Sequence, residues 1–520
     1  MTRPDLTQLD AATRPLAVTA IVLAALALGA CRQKTAPNAE AATAAPATAL
    51  EQPPAPGPAR EAVIPSAIEQ RLANGLRVIV LPRAGAALVD AELLVLSGGE
   101  VDPPDRAGLA DFTASLLTQG TTTQSAPQLA QAAEALGGSL KAQAGWNASR
   151  VGITVTTPKL AAALDLLGDV VRRPAFAKAE VERYRAQTLD ALRVSLSDPA
   201  DLTPLVAARL IHGDAPYGHP RSGTPVSVAK IAAGDLRALH SRHYRPDNVV
   251  LILTGGLDAD TGFALAGQVF GDWPTPKDPL PTLAAPESAA DAAATAKTAR
   301  VVVVDLPDAG QASVMAALPL PPRSAADYYA GLVTRNVLGG GYSSRLNSEI
   351  RIKRGLSYGA GAQFDVQRDG GALYASALTK NPSAVEVAGL IRSELQRLAA
   401  EPVGDAELAA RKASYLGGYA RGLETASGLA GLIARNVALG VAPDEIGKVI
   451  GHVNAITAAQ VQAYAESHLK LDAMTLVVVG DAKQFVDGLK QAGFEPTVIA
   501  ADDLDLGRVD LKRAAPSAKR

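Results

Sequence analysis

The chain has 520 residues, a formal charge of −2, 48% hydrophobic residues and only 4% aromatic ones. That length exceeds what one ordinary core organises, so two or more domains are expected. The near-neutral balance supplies no basic stripe to follow phosphates, which excludes nucleic acid as a partner. Beyond the N-terminal region no stretch reaches the roughly 20 apolar residues that cross a bilayer.

Arg14 precedes an apolar run from Leu16 to Ala30, LAVTAIVLAALALGA, which ends at Cys31. The run is short for a membrane span and suits the apolar core of an export signal. The tetrapeptide LGAC resembles the bacterial lipobox, in which the cysteine is lipidated and becomes the mature N-terminus. That resemblance implies a signal peptide over 1–31, lipidation at Cys31 and a membrane-anchored lipoprotein in the bacterial periplasm. Stable attachment takes two acyl signals or more. The plain alternative is an uncleaved signal anchor with an incidental thiol. Cys31 is the only cysteine, so no intrachain disulfide can form. Residues 32–61, rich in Ala and Pro, read as a flexible tether.

A second Ala/Pro stretch, 274–298, separates two halves of similar length, 62–273 and 299–505, and residues 506–520 read as a loose tail. The halves resemble each other. IAAGDLRALHSRHYRPDNVVLILTGG begins at Ile231 and ITAAQVQAYAESHLKLDAMTLVVVGD at Ile456, which sets His243 on His468, Asp247 on Asp472 and Gly255 on Gly480. Each stretch reads as an amphipathic helix followed by a buried strand ending at glycine. Thr457 with Gln460 three residues on has capping-box spacing. Strand-like runs come earlier, GLRVIVLP (75–82) and ARVVVVDLP (299–307), and SRVGITVTT and GALYASALT follow later in their halves. These elements predict an α+β protein of two tandem homologous domains, each a mostly antiparallel sheet with helices packed on one face. The repeat is too long for a solenoid unit.

Residues 107–119 place Leu109, Phe112, Leu116 and Leu117 on one stripe, and Gly120 stops the helix. Asp111, Ala114 and Ser115 share another face, at the spacing a zinc peptidase uses for two histidines and a glutamate base. Alanine cannot ligate and serine is a poor zinc ligand, which leaves one carboxylate. The context GLA-DFTAS-LLTQGT resembles the ligand helix of the pitrilysin/insulinase zinc peptidases, above all the short two-domain members similar to mitochondrial processing peptidase. In that family the central five residues read His-x-x-Glu-His. The resemblance runs from about residue 62 to 500. The family's distal glutamate ligand falls in VERYRAQTLDALRVSLSDP, where Ala191 is the match. Asp190 is one step away, rotated by about 100° on a helix. The family's Asn-Ala on a substrate-pairing edge strand is replaced by Lys141-Ala142. Of the six histidines, His240 and His243 lie three apart near a helix end, a possible half-site whose plain reading is capping or packing. No metal is expected in this chain.

LGGGYSSRLNSEIRIKRGLSYGAGAQF (338–364) carries a glycine run without the Gly-Lys-Ser/Thr of a phosphate loop. It closely resembles the second-domain motif of the same family. The resemblance implies that Arg351 holds the substrate backbone and that Tyr358, seven residues on, donates a hydrogen bond to the oxyanion. Such a donor contributes roughly 3 kcal/mol to hydrolysis and nothing without a nucleophile opposite. The resemblance implies a subunit inactive alone, with no cofactor of its own. It would lend Arg351 and Tyr358 to a zinc-bearing peptidase subunit of the same family in a heterodimer that cleaves a peptide or unfolded protein. The alternative is a non-enzymatic structural or peptide-binding subunit of a membrane-associated assembly. An active homodimer with a metal site built on Asp111 is the third possibility.

Overall fold

The computed structural model describes residues 64–281 and 300–513. The expected signal peptide with Cys31, the tether and most of the linker lie outside the described residues.

The two halves repeat five strands of the same sheet and differ in the outermost one, an antiparallel N-terminal strand in the first half and a parallel C-terminal strand in the second. In the first, β1 (Ile68–Arg71), β2 (Arg77–Pro82), β3 (Leu88–Val95), β4 (Lys141–Ala144), β5 (Ser149–Thr156) and β6 (Val249–Gly255) stand in the order β1-β2-β6-β3-β5-β4. In the second, β7 (Arg300–Asp305), β8 (Ala312–Leu320), β9 (Ser357–Val366), β10 (Gly371–Thr379), β11 (Thr475–Gly480) and β12 (Pro496–Ala500) stand in the order β12-β7-β11-β8-β10-β9. β6 pairs parallel with β2, as β11 does with β7, and each pairs antiparallel with the next strand in. The repeat read from the sequence is therefore structural. Helices Ala233–His243 and Ala458–His468 both end on the matched histidine, and each leads through a short 3-10 turn into the matched buried strand. The Thr457–Gln460 capping box closes as expected, with Gln460 N–H donating to Thr457 Oγ1 at 3.2 Å.

Fold class and strand positions agree with the sequence. Each sheet carries helices of its own half on one face. Val78, Val80, Leu251 and Leu253 pack there with Phe112, Leu164 and Phe270. The other face is covered by a helix from the opposite half. Leu429, Ala430, Ile433 and Ala434 of helix Ala426–Ala438 lie on Ile79, Leu81, Leu94, Val250 and Ile252. Reciprocally, Leu202, Val206 and Ala207 of helix Pro199–His212 lie on Val302, Val304, Met315, Val477 and Val479. This exchange explains why β6 and β11 are buried along their whole length: strands covered on both faces have no solvent side to make polar.

Two boundaries shift. The expected linker begins tied to the first half, with Thr275 Oγ1 donating to Asn74 O at 2.6 Å. The expected loose tail from residue 506 is packed as far as Arg513: Leu506 and Leu511 are buried, and Lys512 bridges Leu504. Apolar side chains at 506 and 511 fill the exchanged-helix face of the second sheet, which the polar neighbours in the sequence disguised. Among the described residues no helix is long and apolar enough to cross a membrane.

Candidate functional site

The helix that carries Asp111, Ala114 and Ser115 spans Leu109–Leu116 and its apolar stripe is buried as expected. It starts at 109 because Gly108 takes the left-handed conformation (φ 95°) and the Asp102 carboxylate accepts from the Gly108 and Ala110 N–H groups, both at 2.8 Å. A carboxylate at a helix N-terminus satisfies free donors and opposes the dipole. Gly120, also left-handed (φ 115°), follows the helix. The helix packs against edge strand β4 and helix Ala233–His243.

Ala114 is fully buried, while Asp111 and Ser115 are partly exposed. Burial raises the Asp111 pKa, and the nearby Arg221 guanidinium opposes the rise. Tyr184, from helix Lys178–Leu196, stands edge-on to Phe112 at 4.7 Å, with its hydroxyl on the side of Ser115. Burial raises the Tyr184 pKa and the Asp111 charge adds to the rise. Ala191 is exposed two turns further along that helix, and Asp190 points to solvent in an ion pair with Arg193. The face on which the resemblance places metal ligands thus holds one carboxylate, one hydroxyl and one phenol beside a guanidinium. These residues do not fit zinc, which takes three or four nitrogen, sulfur or carboxylate donors and is repelled by a neighbouring cation. Among the described residues no group of three or more His, Cys, Asp or Glu is placed to hold a metal ion.

Tyr184 and Arg221 are the residues that sequence reasoning missed. Tyr184 had an available signal, since it lies seven residues before Ala191 on the same helical stripe. Arg221 had none, because only tertiary packing brings it to Asp111.

The histidine half-site is occupied by structural work. His240 Nε2 bonds the Val171 carbonyl at 2.7 Å and its ring stacks on Tyr244, while His243 Nδ1 meets Ser97 Oγ at 3.0 Å. Burial lowers both pKa values, that of His243 to about 4, so both rings are neutral at pH 7.

Arg351 lies in a π-helical turn, Asn347–Ile352, with its guanidinium 4.9 Å from the centre of the Tyr342 ring. Tyr358 stands at the start of β9, the free edge of the second sheet, and is 93% exposed. The β9–β10 register shifts between Ala377 and Thr379, so Tyr358 has no cross-strand partner and is turned outward. The glycines before it serve packing: a Cβ on Gly339 would stand 2.1 Å from the Ala362 nitrogen, and one on Gly340 1.8 Å from Asn336 Oδ1. The loop they form is pinned by Arg411 Nη2 donating to Ser343 Oγ at 2.6 Å and by the two-pronged Arg345–Glu407 pair at 2.9 Å. Ala360 N–H donating to Asn347 Oδ1 at 3.2 Å ties the turn that carries Arg351 to the strand that carries Tyr358.

Lys141-Ala142 lies on β4, which the repeat places opposite in role to β9: both are the outer strands of their sheets. Arg351 and Tyr358 share a neighbourhood at the β9 edge. The structure does not bring them onto the helix of Asp111 and Ser115, which packs at the β4 edge.

The family model described as "Insulinase (Peptidase family M16)" matches residues 77–215, and the one described as "Peptidase M16 inactive domain" matches 230–415. A Mycobacterium leprae protein described as an uncharacterized zinc protease is 30% identical over 402 residues, covering 76% of this chain and 88% of the relative. A Streptomyces coelicolor protein of the same description is 26% identical over 400 residues, covering 76% and 86%. Among solved structures, a protease from Helicobacter pylori aligns with a TM-score of 0.76 at 19% identity over 80% of this chain and 100% of that one. An M16 inactive domain from Pseudomonas fluorescens aligns with a TM-score of 0.73 at 24% identity over 80% and 98%. At those identities the structural likeness speaks to the fold alone.

Proposed function

The chain belongs to the M16, insulinase-type peptidase family, and from that premise we propose that it is a zinc-free subunit lending Arg351 and Tyr358 to a zinc-bearing partner of the same family in peptide hydrolysis. The observation that carries the reading is Tyr358. A tyrosine 93% exposed at a sheet edge, on the strand that the turn of Arg351 packs against, has its hydroxyl free for another molecule. The partner would bring the metal and its activated water. Attack on an amide carbonyl puts negative charge on oxygen, and the Tyr358 hydroxyl would donate to that oxygen. The Arg351 guanidinium would hold a backbone carbonyl of the substrate, its orientation restrained by the Tyr342 ring.

Reconstitution tests this. Alone, the chain is expected to hydrolyse no peptide; a family partner carrying His-x-x-Glu-His should bind it and turn peptides over faster than the partner does by itself. Chelator-sensitive hydrolysis by the isolated chain would sink the proposal.

We also propose that Cys31 is lipidated and holds the protein at the periplasmic face of a membrane; the LGAC sequence after an apolar run supports this. Cys31→Ser is expected to move the protein from the membrane to the soluble fraction on cell fractionation. Unchanged membrane association in that variant would mean an uncleaved anchor instead.

A further inference from the structure

Between the two halves lies a cavity of about 800 Å³, lined by both domains and by the end of β9 opposite to Tyr358. Its cationic lining is unusual for a chain with a formal charge of −2. Arg150 is already neutralised, held by both carboxylate oxygens of Glu92 at 2.5 and 2.6 Å. Arg221, Arg335 and Arg435 also line the cavity, and among the described residues none of these three has a carboxylate within salt-bridge distance. Arg221 Nη1 donates to the Ala144 carbonyl at 2.9 Å and Arg335 Nε to the Ala362 carbonyl at 2.6 Å, which fixes two of the guanidinium groups and leaves their remaining N–H groups for a ligand. A single acid, Asp365, faces them, close enough for Arg435 and Arg221 to pull its pKa down against the rise that burial causes. Asp111, outside the cavity lining, also acts on Arg221, so three cations meet two acids; the remaining positive charge in a concave, partly apolar space costs free energy unless a ligand anion completes it.

The shape points to a peptide. A cavity of this volume matches sites for ligands of many atoms and is far larger than an inorganic anion needs. One outer strand runs into it: β9 lines it with Gln363 to Asp365, while the turn after β4 closes the opposite side with Gly145 to Ala148. Free strand edges offer unpaired backbone N–H and C=O groups to an extended chain. Trp146, Phe364 and Tyr415 add aromatic faces for side chains and methylene stems. We propose that this cavity between the halves binds acidic peptide segments, with Arg221, Arg335 and Arg435 receiving their carboxylates.

The test uses the full chain alone, so its failure would leave the role of Arg351 and Tyr358 untouched. Trp146 lines the cavity and the only other tryptophan, Trp273, is buried in the first core, so tryptophan emission reports on the site. A blocked peptide of alternating Ala and Glu is expected to shift that emission saturably, while its Gln counterpart and inorganic phosphate do not. The Arg335→Gln/Arg435→Gln double variant should bind the Glu peptide at least about tenfold more weakly, the loss that follows from removing about 1.4 kcal/mol of charge-assisted contact. Asp365→Asn, which removes the competing carboxylate, should bind it more tightly, and this second variant carries the test if the double variant does not fold. Equal binding of Glu and Gln peptides, displacement of the Glu peptide by millimolar phosphate, wild-type affinity in the double variant, or unchanged or weaker binding in Asp365→Asn would each overturn the assignment.

Discussion

In the reconstituted pair, Tyr358→Phe is expected to lower kcat for peptide hydrolysis by about 100-fold, the loss measured when one oxyanion donor is removed. KM should change little, because the hydrogen bond forms to charge that exists only in the transition state. The phenyl ring remains, and with 93% of Tyr358 exposed the variant loses no core packing, so melting temperature should stay at the wild-type value. Arg351→Lys should behave differently. Lysine cannot reproduce a planar guanidinium over the Tyr342 ring, and loss of a substrate-holding contact raises KM. Steady-state kinetics with saturating partner separate the two effects. If Tyr358→Phe leaves the reconstituted rate unchanged, the chain contributes no oxyanion donor, and a binding or assembly role becomes the better account.

The largest expected loss of stability comes from the exchanged helices. Ile433 is fully buried, yet the surface it covers belongs to the other half of the chain, on Ile79, Leu81 and Ile252. Ile433→Ala should cost about 2–5 kcal/mol, the sum of lost transfer energy and a residual cavity. Because helix Pro199–His212 makes the reciprocal contact on the second sheet, neither half has a complete core alone. Denaturant unfolding of Ile433→Ala, followed by the emission of Trp146 and Trp273, both in the first half, and by far-ultraviolet dichroism over the whole chain, should show both probes moving together to lower denaturant. Two separated transitions, with the tryptophan signal unmoved, would show that the halves are stable independently.

Local patterns made much of this structure legible. The apolar runs at 75–82 and 299–307, the matched helix-strand pairs after Ile231 and Ile456, and the Thr457 cap all express short-range physics: side-chain period, capping and burial. The destinations of helices Pro199–His212 and Ala426–Ala438 do not follow from pattern. A broad apolar surface specifies that a helix must be covered and leaves open by which sheet. The tail failed for a related reason, since Leu506 and Leu511 are isolated apolar residues whose partners lie far away in sequence. At the candidate site, Asp111, Ala114 and Ser115 could be placed on one face by spacing alone. Tyr184 and Arg221 reach that face through packing across 69 and 110 residues of chain; the helical stripe shared with Ala191 hints at Tyr184, and nothing local announces Arg221. The cavity arginines are the extreme case: Arg221, Arg335 and Arg435 come from both halves and become a cluster only when the domains meet.

The absence of a metal-binding donor set at 111–115 is the claim on which the partner model rests, and metal analysis of the isolated full chain tests it most directly. After equilibration with excess zinc and exhaustive dialysis against metal-free buffer, elemental analysis should find far less than one zinc per chain, with the same trace in Asp111→Ala. One tightly held zinc per chain that disappears in Asp111→Ala would contradict the account and restore a metal centre to this subunit.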